Sequence, residues 1–156
     1  MTIPIFYTIS DDFTPYLAVS INSLVKQARP NNDYKVIILH QGLSQAHQQA
    51  LAAYERANVK IDFRQLDDQL FAPIQNKKGN YLRAEFFTLS IFYRLFIPDL
   101  FPEYDKAIYI DADTVINDDL AKLYQTDLAN NLIGACHDQS IQYIKPLQVY
   151  LKDVLG

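Results

Sequence analysis

The sequence predicts an α/β fold in which a mostly parallel sheet carries helices on both faces. Three observations lead there. Short runs of β-branched and aromatic residues alternate with stretches of helical apolar spacing, an order that right-handed crossovers turn into a parallel sheet. The strand candidates read as nearly continuous apolar runs, as strands covered on both faces do. Finally, the run Ala107-Ile108-Tyr109-Ile110 stops at Asp111, with a second carboxylate at Asp113. Open α/β sheets bind ligands where such strands leave the core.

Residues 3–9 form the first predicted strand, followed at once by the polar turn Ser10-Asp11-Asp12. Thr14 suits an N-cap and Pro15 the first helical position, and the helix they open runs to about Ala28, with Leu17, Ile21, Leu24, Val25 and Ala28 on one face. Arg29-Pro30-Asn31-Asn32-Asp33 breaks it. A second strand spans 34–40, Ser44 caps a second helix over about 45–56, and a third strand spans 59–65. Residues 67–81 are irregular, contain Pro73 and Gly79, and make a loop of the length usually associated with function or mobility. Residues 86–96 read as a buried helix stopped by Pro98 and Pro102, and 132–136 as a further short apolar strand. From Ile141, the residues Ile144, Leu147, Tyr150, Leu151, Val154 and Leu155 keep a helical apolar face, which Pro146 should kink or delay. Such a face needs something to pack on.

Composition excludes several classes. A chain of 156 residues is expected to form one compact domain burying about 70% of its unfolded surface. With 49% apolar residues, 11 Tyr, 9 Phe and only 4 Gly, it is neither disordered nor of low complexity. A net charge of −4, with Lys77-Lys78 the only basic cluster, excludes a phosphate-backbone footprint and hence nucleic acid as the expected partner. The single Cys136 has no internal disulfide partner and reads as a small core hydrophobe. The N-terminus lacks a basic segment followed by an apolar one, so a cytoplasmic location is expected. No run reaches the ~20 apolar residues of a membrane span, since Arg94 and Asp99 interrupt the richest region. Peripheral attachment at the inner face of a membrane and homo-oligomer association stay open.

Asp111 and Asp113, joined by a tight turn, can both reach one divalent cation, and oxygen ligation suits Mg²⁺ or Mn²⁺. A metal there would neutralise a diphosphate. By itself the pair equally suits two acids ending a strand in solvent. Asp111-Ala112-Asp113-Thr114-Val115 also fits the opening motif of haloacid-dehalogenase-type phosphatases, with Asp111 as nucleophile and Asp113 as general acid and base. Position opposes that alternative, because three strands precede the pair here and only 43 residues follow it.

Four blocks in fixed order settle the context. They are Ile5-Phe6-Tyr7-Thr8 with Ser10-Asp11-Asp12 and Tyr16-Leu17; Phe92-Tyr93-Arg94-Leu95; Tyr109-Ile110-Asp111-Ala112-Asp113; and Thr126-Asp127-Leu128 with Gly134-Ala135-Cys136. Together they resemble the N-terminal part of glycosyltransferase family 8, retaining enzymes of the GT-A (Rossmann-like) fold that include lipopolysaccharide galactosyltransferases and glycogenin. The resemblance implies Mn²⁺-dependent transfer of a hexose from a UDP-sugar, such as UDP-glucose or UDP-galactose, to a hydroxyl of a glycan or cell-envelope acceptor. It also implies that Asp111 and Asp113 ligate the metal, that Ala112 lies near the ribose, and that Arg94 places the donor sugar and the acidic pair. Thr8 with Ser10, Asp11 and Asp12 matches the uracil-holding region. Family members often carry an acid where this chain has Ser10, which passes that contact to Asp11 or a backbone amide.

The resemblance stops short of the family's Phe-Asn-Ala-Gly-Val strand and of its terminal His-x-x-Gly-x-x-Lys-Pro-Trp motif, whose histidine completes the metal site; the sequence has no Trp. The expectation is therefore a single GT-A donor-binding domain over 1–156, truncated at its C-terminus, without the acceptor-side catalytic residues, with weak Mn²⁺ and UDP binding and little transfer. A non-catalytic nucleotide- or partner-binding half-domain is the remaining alternative. His40 and His47 read as structural or solvent-facing, the pair His137-Asp138, which follows the 132–136 run, as non-catalytic with Asp138 within reach of the ligand cleft, and Arg94, without the resemblance, as a buried arginine paired with a carboxylate.

Overall fold

The computed structural model describes residues 1–66, 93–136 and 143–155. The predicted loop over 67–81, most of the predicted helix over 86–96, and His137-Asp138 lie outside them. The chain divides into two compact units, Met1–Gln125 and Thr126–Gly156.

In the first unit four strands, β1 (Thr2–Ile9), β2 (Asp33–His40), β3 (Val59–Gln65) and β4 (Ile108–Tyr109), form one sheet in the order β3-β2-β1-β4. All three pairings are parallel, with Ile5 opposite Val36 on one side and Ile108 on the other. β4 is shorter than the predicted run, but Ile110 N–H still donates to Phe6 O at 3.0 Å, carrying the ladder to the edge of the acidic turn.

Period-2 alternation explains the unbroken apolar runs. Ile3, Ile5, Tyr7 and Ile9 of β1 and Tyr34, Val36 and Ile38 of β2 face a layer made by α1 (Thr14–Gln27) and α2 (Gln45–Ala52) through Leu17, Ile21, Leu24 and Leu51. Phe6, Ile37 and Leu39 face the opposite layer, where Tyr93 and Ile97 pack. Helices therefore cover both faces, as expected. Each of these fully buried aliphatic or aromatic side chains stabilises the fold by about 1.5–3 kcal/mol.

Helix starts follow local chemistry. Ser44 caps α2, its hydroxyl accepting from His47 N–H at 3.3 Å, and the helix stops at Ala52, short of the predicted Arg56, because Arg56 turns into a bridge with Val59. Ahead of α1, a 3₁₀ turn (Asp11–Phe13) shifts the cap to Phe13, and Thr14 Oγ1 donates back to Asp11 O at 2.7 Å. Pro98 lies in the first turn of α3 (Ile97–Leu100), where its missing N–H costs nothing, and the helix it is expected to stop lies mostly outside the described residues. Asp119 caps α4 (Leu120–Tyr124), its side chain accepting from Ala121 N–H at 2.9 Å, and receives the Tyr34 hydroxyl at 2.5 Å.

In the second unit the expected strand over 132–136 is not formed. Leu132 and Ile133 are 98% and 81% exposed, and Cys136 is exposed instead of buried, since no neighbouring strand pairs with this stretch among the described residues. Pro146 delays the last helix as predicted: α5 (Lys145–Tyr150) begins one residue before it and passes into a π-helical turn, Leu151–Leu155.

Candidate functional site at the exits of β1 and β4

In the sheet order β3-β2-β1-β4, the chain builds outward from β1 in one direction and then returns to its other side, so the crevice beyond the C-terminal ends of β1 and β4 is a topological switch point. Thr8 lies at the end of β1. Asp111 follows β4, with Ala112 and Asp113 in the turn behind it. Ala112 is buried and anchors the turn in the core, which leaves both carboxylates exposed.

Asp111 Oδ1 receives two donors, Arg94 Nη2 at 3.0 Å and the Tyr109 hydroxyl at 3.0 Å. The Arg94 guanidinium lies 4.4 Å from the centre of the Tyr109 ring, so one aromatic residue both supports the cation from its face and shares its anion. Tyr109 OH is also 2.9 Å from Thr8 Oγ1, which bridges the two strand ends. Burial is the main cause that raises the Tyr109 phenol above its ordinary pKa. The Asp111 backbone carbonyl accepts from Thr114 Oγ1 at 2.8 Å, and Thr114 in turn lies 3.3 Å from Ser20 Oγ, itself 3.0 Å from the Tyr7 hydroxyl. Tyr7, buried in the core, is pushed up to about 12 by desolvation. The acidic turn is thus held by its side chain from one side and by its backbone from the other.

Asp113 has no side-chain partner among the described residues. The pair offers only oxygen donors, the set a hard divalent cation takes. Among the described residues no group of three or more His, Cys, Asp or Glu gathers.

The turn after β1 is split in role. Ser10 is half-buried and Asp12 exposed, whereas Asp11 is engaged with the start of α2. Its Oδ1 accepts from Ser44 N–H at 2.8 Å and lies 2.8 Å from His47 Nδ1, and the Ser44 amide is the main cause holding the Asp11 carboxyl below its usual range. Asp11 therefore ties the β1 exit to the start of α2. His40, buried under that turn, accepts from Leu43 N–H through Nδ1 at 3.0 Å, and burial lowers its pKa. The reading of His40 and His47 as structural agrees with these contacts, although His47 does have an acid partner, one 36 positions away and invisible to local spacing. Arg94 is paired with a carboxylate as its bare reading expects, but it is 37% exposed rather than buried.

Tyr109 is the residue that spacing alone did not single out. The signal was present: two residues before Asp111 on an extended segment, it shares the carboxylate's face.

A sequence model described as "Glycosyl transferase family 8" matches residues 4–151. A Haemophilus influenzae protein named as a glycosyltransferase is 28% identical over 142 residues, covering 90% of this chain and 40% of that protein. Among solved structures, the WbbM bifunctional glycosyltransferase superposes with a TM-score of 0.78 at 27% identity, over 99% of this chain and 28% of the other. The galactosyltransferase LgtC, solved with donor and acceptor sugar analogues, gives 0.73 at 27% identity over 90% of this chain and 48% of its own. The chain spans less than half the length of each of these relatives. The parallel sheet with its acidic turn at the switch point is of the GT-A type, and the chain belongs to glycosyltransferase family 8.

Proposed function

We propose that this chain is the donor-binding part of a transferase that moves a hexose from a UDP-sugar to a hydroxyl with retention, and that Asp111 and Asp113 hold a Mn²⁺ or Mg²⁺ ion. The observation that carries the reading is the Arg94–Tyr109–Asp111 cluster at the mouth of the sheet, which fixes the first of two exposed acids in place while the second, Asp113, is left with its carboxylate uncommitted among the described residues. The family match weighs against the phosphatase alternative, in which the acidic pair would open the fold instead of following its fourth strand.

A divalent ion held by Asp111 and Asp113 would supply positive charge to a diphosphate and so favour departure of UDP. The chain's own residues do the rest. Asp111 and Asp113 supply two negative charges, while Arg94, seated on Tyr109, keeps Asp111 Oδ1 occupied and so fixes the carboxylate. Thr8, Ser10 and Asp12 border the nucleoside end, and Asp11 holds that border to α2. We take UDP-galactose or UDP-glucose as the donor and a glycan or cell-envelope hydroxyl as the acceptor, a reading supported by the structural neighbour that is a galactosyltransferase solved with donor and acceptor sugar analogues. We place the enzyme on the cytoplasmic side; no helix among the described residues is long and apolar enough to cross a membrane.

Calorimetric titration of UDP with and without Mn²⁺, into wild type and the double substitution Asp111→Ala/Asp113→Ala, tests the reading. Metal-dependent binding that disappears in a normally folded double variant is expected. No binding by wild type, or binding untouched by the variant, refutes it, and efficient sugar transfer by the 156-residue chain alone refutes the assignment to the donor side only.

A further inference from the structure

Two serines interrupt the apolar packing of α1. Ser20 is fully buried among Leu17, Ile21 and Leu24, and Ser23, one turn on, is half-buried. A hydroxyl in a core is tolerated only where its bonds are made. Ser23 gives its hydrogen to Ser20 O at 2.7 Å and accepts from Ile116 N–H at 2.8 Å. The direction of the Ser20 bonds follows from a carbonyl, which only accepts. Thr114 Oγ1 donates to Asp111 O at 2.8 Å, so at the 3.3 Å contact Thr114 accepts from Ser20, and Ser20 accepts from the Tyr7 hydroxyl at 3.0 Å. The phenol of Tyr7, pushed up to about 12 by burial, keeps the hydrogen this row needs. The bonds from α1 thus end on the backbone to either side of Asp113, at Asp111 O before it and Ile116 N–H after it. Asp113, whose own carboxylate has no side-chain partner among the described residues, is placed by that backbone alone.

We infer that Ser20 and Ser23 are positioning residues for the metal: from α1 they set the backbone of the acidic turn and so hold Asp113 at the cation that Asp111 shares. This rests on the donor-site reading above. Ser20 acts through Thr114 and Ser23 through the Ile116 amide, 94 and 93 positions away in the chain. α1 begins at the turn that leaves β1, where Thr14 Oγ1 donates to Asp11 O, so one helix braces both strand exits of the crevice. Preorganising a ligand in this way lowers the ordering cost that cation binding would otherwise carry.

The test separates positioning from stability by reading urea midpoints and UDP affinity, with and without Mn²⁺, on the same 156-residue variants. Ser20→Ala strands the Tyr7 hydroxyl and should lower the midpoint, whereas Tyr7→Phe/Ser20→Ala removes the stranded group and should regain most of that loss. Mn²⁺-dependent affinity should nonetheless stay about three- to tenfold weaker in both, because Thr114 lacks its donor in both. Tyr7→Phe alone keeps that donor and should stay within about twofold of wild type. Ser23→Ala should weaken Mn²⁺-dependent affinity by a similar three- to tenfold, and Ser23→Thr, which keeps the oxygen, should restore it. Metal-free UDP binding should change less than about twofold throughout, and in the metal-free chain the Ile116 amide should exchange about tenfold faster in Ser23→Ala. Affinity that follows the midpoint back up in Tyr7→Phe/Ser20→Ala, equal losses with and without Mn²⁺, or failure of threonine to rescue overturns the inference while Mn²⁺-dependent UDP binding by wild type stands. Absence of that binding in wild type overturns the donor-site reading and the inference with it.

Discussion

Asp119 holds the segment behind the acidic turn to the sheet, and replacing it with alanine should cost about 2–4 kcal/mol of stability. The residue is 5% exposed and has three partners. Its side chain caps α4 through Ala121 N–H, a contact worth about 1 kcal/mol. It is also the acceptor for the Tyr34 hydroxyl at 2.5 Å; Tyr34 is 2% exposed, and a buried hydroxyl left without its acceptor costs about 1–3 kcal/mol. The third partner, Arg29, is 3.7 Å away with a side chain 62% exposed, so its ion pair is screened and adds under ~1 kcal/mol. Asp119→Asn keeps an oxygen for both the helix amide and the tyrosine and should cost about 1 kcal/mol or less. Urea denaturation followed by far-UV circular dichroism measures both variants. Equal losses for the two variants, or a loss below about 1 kcal/mol for alanine, would show that the cap and the tyrosine acceptor do not act as described.

Arg94→Lys keeps the charge but loses the planar stack on Tyr109, so stability should change by less than ~1 kcal/mol while Mn²⁺-dependent UDP affinity falls about tenfold; urea midpoints and calorimetry on one sample read both. Acid should destabilise the chain in two stages. His40 has a folded pKa below its unfolded value near ~6.5, so the unfolded state takes up its proton first, and stability present above that pH is lost as pH falls through the window below it. Asp11 is likewise depressed, and its contribution, present above its unfolded value near ~3.9, is lost as pH falls through the lower folded value. Urea midpoints from pH 8 to 3 should therefore show an upper step absent from His40→Gln and a lower step reduced in Asp11→Asn.

Much of the scaffold was legible because burial on both faces writes itself into sequence as long apolar runs. β1, β2 and β3 lie within one residue of their predicted positions for that reason. Turn chemistry was read well at Ser44 and Pro146, but the helix that Pro98 helps to begin was not foreseen, because a proline that stops one helix looks identical to one that begins the next. The 132–136 run shows the limit of composition: apolar residues form a strand only where another strand offers its hydrogen bonds. At the site, the acidic pair could be found from its place after a strand. Its partners could not, since the bonds joining Thr8 to Tyr109, Arg94 to Asp111 and Asp11 to His47 connect positions 101, 17 and 36 residues apart.

The pairing of β1 with β4 has a kinetic consequence. β1, β2 and β3 meet in chain order through single crossovers, but β4 joins β1 only after a loop of about a hundred residues has closed, the slowest kind of contact to form. The crevice between these strands is therefore expected to be the last part of the sheet to assemble and the first to part. A ligand seated there binds a seam that the folding transition state has not yet sewn, so it should lengthen the lifetime of the native chain by slowing unfolding and leave the rate of folding nearly unchanged.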